Sequence, residues 1–486
     1  MRALRRVPTA AWLCVLVACL NAIAWSIITP PFEVPDEQGH FAYVEELARL
    51  HRLPSSGTQE YASDEQTAID DVESWRINLQ PLQHALASRA QQQKLESDMA
   101  STAASSSAGV GAAGVAATEP PLYYALQTIP YELGASGGVL YQLALMRLLS
   151  ALMAGVTVLF TFLFVRELLP STPRAWTLAG LAVAFGPLLG FISGGVNPES
   201  MLCAVSAAVF YCLARGFRRA LTPRLALATG ALTAAGLLTK LNFVGLVPGV
   251  LLGLALLAMR SSRTLGARRA ARALVPALAL AAAPVCAYAV INMLSNHHTL
   301  GIVSGTLASS AGHRSPLGEA SYIWQLYLPR LPGMHTDFPD ISPTRNLWFN
   351  GLVGDYGFED TFFPRWVDNL AVIPAFAIVT LSLREAYMNR SALRRRLGEL
   401  GVLLAMAAGL LILIGASSYL SFPAEAAAFP EPRYLLPLTP LFAAVLALAA
   451  RGAGRRWGAS AGALIVVLFI AHDLFSQLQV IARYYG

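Results

Sequence analysis

The sequence predicts an all-α polytopic membrane protein, a bundle of about 11 transmembrane helices with two long extracytoplasmic loops that carry interfacial helices. Three observations lead there. The 486 residues are 55% hydrophobic and only 13% charged, with a mean hydropathy of +0.51, far from that of a soluble domain. Runs of roughly 20 apolar residues, enough to cross a hydrocarbon core, recur along the chain. Arginines gather in short clusters between those runs, where orientation signals belong.

The elements follow in order. MRALRR and the small residues from Ala22 to Ala24 resemble a secretory signal. The apolar run from Ala10 to Ile28 is nonetheless long enough to span, and further spans follow, so it reads as an uncleaved first helix. Hydrophobic runs set against breakers place helices near 9–28, 139–165, 175–193, 197–214, 222–239, 241–259, 273–294, 367–384, 398–420, 433–450 and 458–479. With the N-terminus inside, 22 of the 35 Lys and Arg fall in short connections on that side, and the C-terminus lies outside. The net charge of +6 therefore reads as topology and not as a nucleic-acid surface. All five cysteines, at 14, 19, 203, 212 and 286, lie inside apolar runs, which supports neither a disulfide framework nor a cysteine metal site.

Within a single membrane domain, 1–486, two outside segments are too long to be plain connectors, 29–138 and 295–366. The first carries 15 of the 29 Asp and Glu against five Lys or Arg, the reverse of the inside bias. Its stretch 100–118 is low-complexity, reads as flexible and is assigned no chemistry. The second mixes His297, His298, His313, His335, Asp337 and Asp340 with Trp324, Trp348 and Trp366. Those histidine spacings match no compact metal motif, and the tryptophans suit short helices at a membrane interface.

The chemistry-bearing groups cluster beside the ends of spans. In PPFEVPDEQGHF, Pro30 to Phe41, a proline and then Asp36 and Glu37 suit a helix N-terminus, whose dipole favours acids. Phe41, Val44, Leu47 and Ala48 continue at helical spacing with Glu45, Glu46 and Arg49 opposite, which predicts an amphipathic helix on the membrane. On it Asp36 and His40 share a face, so an acid near the bilayer is also placed to act as general base toward a hydroxyl. EPPLYY, with Glu119, Tyr123 and Tyr124, reads either as an interfacial break or as an aromatic wall beside a ligand. Asn197 and Glu199 in GGVNPES, Lys240 in LLTKLNF, Arg433 in EPRYLLPLTP and Arg147 all lie near outer ends. Charges at membrane depth face a cavity or a partner rather than lipid. Lys240 and Arg433 therefore either snorkel to headgroups or hold a lipid phosphate, and Arg147 either joins them or pairs with an acid in the bundle. His472 beside Asp473 reads as a paired polar spot.

Taken in order, PPFEVPDEQGHF, EPPLYY, MRLLSALMAGVTVLFTFLFVRELLP, GGVNPES, LLTKL and EPRYLLPLTP resemble a bacterial family of membrane proteins grouped with the GT-C glycosyltransferases. The resemblance implies a GT-C-like bundle in the bacterial cytoplasmic (inner) membrane. It implies inverting transfer of a sugar from a polyprenyl-phosphate donor to a glycan, lipid or protein acceptor on the extracytoplasmic side. Asp36 would be the base, with Glu37 its neighbour or, with Asp36, the contact of a divalent metal. Arg433, Lys240 and Arg147 would hold the donor phosphate, supported by His40, Glu119, Tyr123, Tyr124, Asn197 and Glu199. One departure is Glu119, where related sequences often carry His, Lys or Gln. Two rival readings are a flippase of lipid-linked sugars working through Lys240, Arg147 and Glu199, and a non-catalytic partner in envelope-glycan assembly.

Overall fold

A computed structural model describes residues 7–54, 61–73, 86–104, 113–294, 315–339, 341–357, 360–421 and 431–486. His297, His298, His313 and Asp340 lie outside the described residues. Between the first span, α1 (Thr9–Ile28), and the long α6 (Gly138–Leu168) stand α2 (Glu37–Leu50), α3 (Ser63–Val72), α4 (Arg89–Ala104) and α5 (Leu122–Leu133). Then come α7 (Pro173–Ala184), α8 (Pro187–Ser193), α9 (Glu199–Arg219), α10 (Pro223–Thr239), α11 (Val247–Leu265) and α12 (Ala267–Leu294). A second set of short elements holds α13 (Pro316–Tyr327), α14 (Asn350–Val353) and an antiparallel hairpin of β1 (Asp355–Tyr356) and β2 (Thr361–Phe362). The remaining helices are α15 (Arg365–Met388), α16 (Arg390–Arg394), α17 (Leu397–Ser421), α18 (Thr439–Gly452) and α19 (Gly454–Tyr485).

The apolar runs read from the sequence fall mainly on these helices, although those expected at 241–259 and 433–450 begin as 3-10 turns, Leu241–Leu246 and Pro432–Leu438. Among the described residues nine helices are long and apolar enough to cross a membrane. The run expected at 175–193 is broken instead: α7 and α8 meet at 54° across Phe185-Gly186, because Pro187 has no amide to continue the helical ladder. α10, at 17 residues, is expected as a span but is not among those nine.

Burial separates centre from rim. The apolar windows of α6 and α9 are 61% and 78% buried within the protein, whereas those of α12 and α15 are 11% buried and present apolar side chains outward. α6 packs against α1, α5, α7, α9 and α18. The broken span presses on α1 through Gly190, where an added Cβ would stand 2.5 Å from the Trp25 ring, and on the loop after α1 through Gly195, where it would stand 2.5 Å from Val34. Glycine at those two places lets the loop Pro30–Asp36 and the segment Val196–Glu199 lie side by side.

Two expectations change, one in the first loop and one on α19. α2 does not lie on a membrane surface with its acids outward; it is enclosed by α5 and by the 3-10 turn Gly114–Thr118. Its acids are buried and partnered, Glu45 with Arg49 at 3.0 Å and Tyr131 at 3.3 Å, Glu46 with Arg52 at 3.1 Å. His472 and Asp473 are not paired to each other. Asp473 accepts from Trp25 at 3.0 Å and Asn21 at 3.2 Å, tying α19 to α1, while His472 Nε2 meets the Val353 carbonyl.

The far end of α19 also reaches the loop after α1. Tyr484 donates to Glu33 Oε2 at 2.8 Å, with both residues buried, and Arg483 pairs with Asp360 at 2.9 Å. Phenylalanine at Tyr484 removes a donor from a buried carboxylate, and the expected cost is about 1.5–3 kcal/mol, read as a lower thermal midpoint of the purified protein.

Candidate active site

Four chain-distant segments meet at one end of the bundle, and each is a place where regular helix stops. Pro35 ends the loop between α1 and α2, and Asp36 adopts φ 62°, a left-handed conformation that L residues other than Asn and Asp rarely take. Asn197 precedes α9, with its Oδ1 accepting the amide of Glu199 at 2.9 Å and its Nδ2 donating to the Pro35 carbonyl at 3.1 Å. Lys240 leaves α10 extended and enters the 3-10 turn Leu241–Leu246, and Arg433 is the second residue of the 3-10 turn Pro432–Leu438. Prolines 248, 437 and 440 lie within or just after those turns and weaken the α-helical ladder there, so both cations come off irregular backbone.

The geometry is a mixed-charge cluster. Arg433 Nη2 donates to Asp36 Oδ2 at 2.9 Å, the guanidinium pairs with Glu431, and its Nε lies 4.0 Å from Glu199 Oε1. Lys240 Nζ reaches the same Glu199 oxygen at 2.5 Å and Glu119 Oε1 at 3.5 Å. Both cations also stand over the Tyr434 ring, at 5.8 Å for Lys240 and 5.7 Å for Arg433. Neither snorkels: their side chains are 11% and 6% exposed. Asp36 is different, with 48% of its side chain exposed. It is flanked by protein yet open at its tip, and that openness makes it the reachable carboxylate of the pair with Arg433.

Electrostatics follow from these contacts. Enclosure pushes the Asp36 carboxyl up, but the Arg433 guanidinium, with Lys240 nearby, outweighs it and holds the group below the usual carboxylate range. Burial pushes Glu119 up despite Lys240. Burial likewise brings His40 down to about 4, so the ring is neutral at ordinary pH and its Nδ1 meets the Tyr124 hydroxyl at 2.9 Å. Imidazole NMR signals of His40 are expected to stay constant from about pH 5 to 8, where an unperturbed histidine titrates.

Asp36 is the N-cap of α2, yet its side chain caps nothing; the carboxylate goes to Arg433 instead. The capping expectation is corrected on that point. Glu37 points the other way. It is wholly buried, binds Arg147 at 2.5 and 2.8 Å, and accepts the amides of Phe32 at 3.0 Å and Val196 at 2.8 Å. Arg147 donates besides to the carbonyls of Ser26, Thr29 and Pro30. With both Glu37 oxygens saturated and Asp36 turned to Arg433, the two acids do not present a joint donor set for a divalent metal. Arg147, closed on Glu37, stands apart from the Lys240–Arg433 cluster. Tyr123 is buried with Ser150 at 2.9 Å and Gln127 at 2.9 Å, while Tyr124 stacks on Tyr43 with ring centroids 3.7 Å apart.

Three residues of the site escaped the sequence reading. Glu431 and Tyr434 sit within EPRYLL itself, and an acid two residues before the arginine was the available signal. Asp355 carried none, since only the hairpin brings it here. It shares with Glu431 and Arg433 a cleft whose opposite wall is Leu188, Phe191 and Ile192 of α8.

An all-helical polytopic bundle with a buried charge cluster and one open carboxylate at its end defines a membrane protein with a polar site reachable from one face. The chain belongs to the DUF2142 family, described as a predicted membrane protein, whose model matches residues 19–442. No curated protein matches it. Among solved structures it is similar to the oligosaccharyltransferase of Archaeoglobus fulgidus in the apo form, at 11% identity and TM-score 0.48, over 98% of this chain and 56% of that one. It is similar also to the archaeal oligosaccharyltransferase from that organism in complex with an inhibitory peptide and a dolichol-phosphate, at 13% identity and TM-score 0.49, over 98% and 56%. The chain thus spans little more than half the length of those proteins.

Proposed function

We propose that this protein is an inverting, GT-C-like glycosyltransferase of the bacterial cytoplasmic membrane. It moves a sugar from a polyprenyl-phosphate donor to a glycan, lipid or protein acceptor on the extracytoplasmic side. The observation that carries the reading is the open Asp36 carboxylate bonded to Arg433, beside Lys240. An acceptor hydroxyl must lose a proton as it attacks the anomeric carbon, and a carboxylate within hydrogen-bond reach takes it. The departing phosphate gains negative charge, which a buried Arg and Lys stabilise more strongly than water does. In this scheme the donor phosphate competes with Asp36 for Arg433, so donor binding itself releases the base toward the acceptor. Glu199, shared by both cations, keeps them a short distance apart, suited to grip one phosphate.

Glu37 and Arg147 hold the loop that presents Asp36, and His40, Tyr123, Tyr124 and Asn197 brace it. The flippase alternative finds less support, because Lys240 with Glu199 and Arg147 with Glu37 form closed pairs near one end, not a path along the bundle. The test is incubation of purified protein with labelled polyprenyl-phosphate sugars and membrane extract. Radiolabel in a new, non-polyprenyl product supports transfer; intact donor moving across proteoliposomes without bond cleavage would sink it in favour of transport.

A further inference from the structure

We propose that Asp355 is a second catalytic carboxyl of this site, a protonated acid that donates a hydrogen bond to the departing phosphate while Asp36 takes the acceptor's proton. The proposal rests on the glycosyl-transfer reading above. Its first support is placement. Asp355 opens β1, and the next residue, Tyr356, is locked: its ring packs 5.1 Å from Trp25 and 5.4 Å from Phe191, and its hydroxyl donates to Ser476 at 2.8 Å. The hairpin register, Asp355 opposite Phe362 and Tyr356 opposite Thr361, leaves the Asp355 side chain in the wall of the cleft with Arg433.

Its second support is an oxygen without a partner. Asp355 Oδ1 is shut off from solvent and has no hydrogen-bond partner among the described residues. An ionised carboxylate with a bare buried oxygen costs more than a neutral acid in the same place, and the proton of the neutral acid is available for donation. The charged groups facing it are Glu431, Arg433 and Asp360; α8 offers only Leu188, Phe191 and Ile192. Arg433 bonds Asp36 and pairs with Glu431 rather than with Asp355, and the Glu431 charge acts on Asp355 more strongly than the guanidinium does.

The titration behaviour agrees. Burial first, then the Glu431 charge, pushes Asp355 up to about 7 against the pull of Arg433, whereas Asp36 is held low. Two carboxyls near one arginine are thereby driven apart, the arrangement that divides acid from base work. The step balances. The acceptor oxygen bonds to the anomeric carbon, the bond from that carbon to the phosphate oxygen breaks with its electron pair going to phosphate, and the hydroxyl proton goes to Asp36. Asp355 keeps its proton, shared with a phosphate oxygen.

The test pairs infrared titration of the purified full-length protein with transfer from labelled polyprenyl-phosphate sugars. A protonated-carboxyl band that fades through about pH 7 is expected in the wild type and in Asp36→Asn and should be missing in Asp355→Asn. Transfer should fall as pH rises through the same range, and Asp355→Asn should lower kcat about 10–100-fold with donor KM little changed. Should Asp355→Asn not fold, Glu431→Gln carries the test: removing a neighbouring negative charge lets Asp355 ionise more readily, so the alkaline limb and the band both move to lower pH. A spectrum of Asp355→Asn identical to wild type, a wild-type kcat and pH profile in that variant, or an unmoved limb in Glu431→Gln overturns the proposal. Absence of transfer from every donor by the wild type, with the band intact, marks failure of the glycosyl-transfer reading, and the acid role falls with it.

Discussion

Asparagine at Asp36 is expected to reduce sugar transfer by at least about 100-fold, up to the 10,000-fold typical of losing a general base, while the protein stays folded. The substitution suits the test because it separates the two readings of this residue. Asparagine caps a helix as well as aspartate does and tolerates the left-handed φ of 62° at this position. A capping role therefore predicts no change at all. The fold should tolerate the exchange, since the side chain is half-exposed and Arg433 keeps Glu431 and Glu199 as partners. Initial rates with a labelled donor, set beside thermal midpoints of the same preparations, measure it; wild-type turnover in Asp36→Asn would remove the catalytic assignment.

The spans were legible because a membrane helix needs little more than length and apolarity, and both are local properties of the sequence. Even the break between α7 and α8 is written in Gly186-Pro187, although the run around it is apolar enough to hide it. The burial of α2 was not legible. Glu45, Glu46 and Arg49 on one face suggest solvent, and only the covering α5, with Tyr131 and the chain around Arg52, turns that face inward. A charge pattern reports which side of a helix is polar, not whether the polar side is wet.

The same limit shaped the site. Asp36, Lys240, Glu199 and Arg433 were recognisable one at a time, as charges beside span ends. That Lys240 and Arg433 would share one Glu199 oxygen depends on how α9, α10 and the turn before α18 pack, which spacing along the chain does not state. Asp355 is the extreme case: a single acid in a loop, meaningful only through the hairpin that sets it against Arg433. Glu37 shows the converse. Adjacent to Asp36 and chemically alike, it looked like a partner in the same chemistry, but one step along a helix start turns its side chain to Arg147.

That turn underlies the second large effect. Glutamine at Glu37 leaves the Arg147 guanidinium buried beside a neutral amide, and the expected destabilisation is about 3–5 kcal/mol, the range for breaking one side of a buried ion pair. Methionine at Arg147 strands the Glu37 carboxylate and should cost a similar amount. Replacing both together, Glu37→Gln with Arg147→Met, removes the two charges at once, so the double variant should be markedly less unstable than the sum of the single losses. Denaturant or thermal unfolding in detergent measures the cycle, and additive losses would show that the pair is not coupled. The consequence for function follows from geometry. Glu37 fastens the amides of Phe32 and Val196, and Arg147 fastens three carbonyls at the end of α1, so this pair sets the loop carrying Asp36 against the segment carrying Asn197. Its single variants should lose transfer and stability together, whereas Asp36→Asn loses transfer alone. A residue that positions and a residue that reacts are distinguished by that difference, though they are neighbours in sequence.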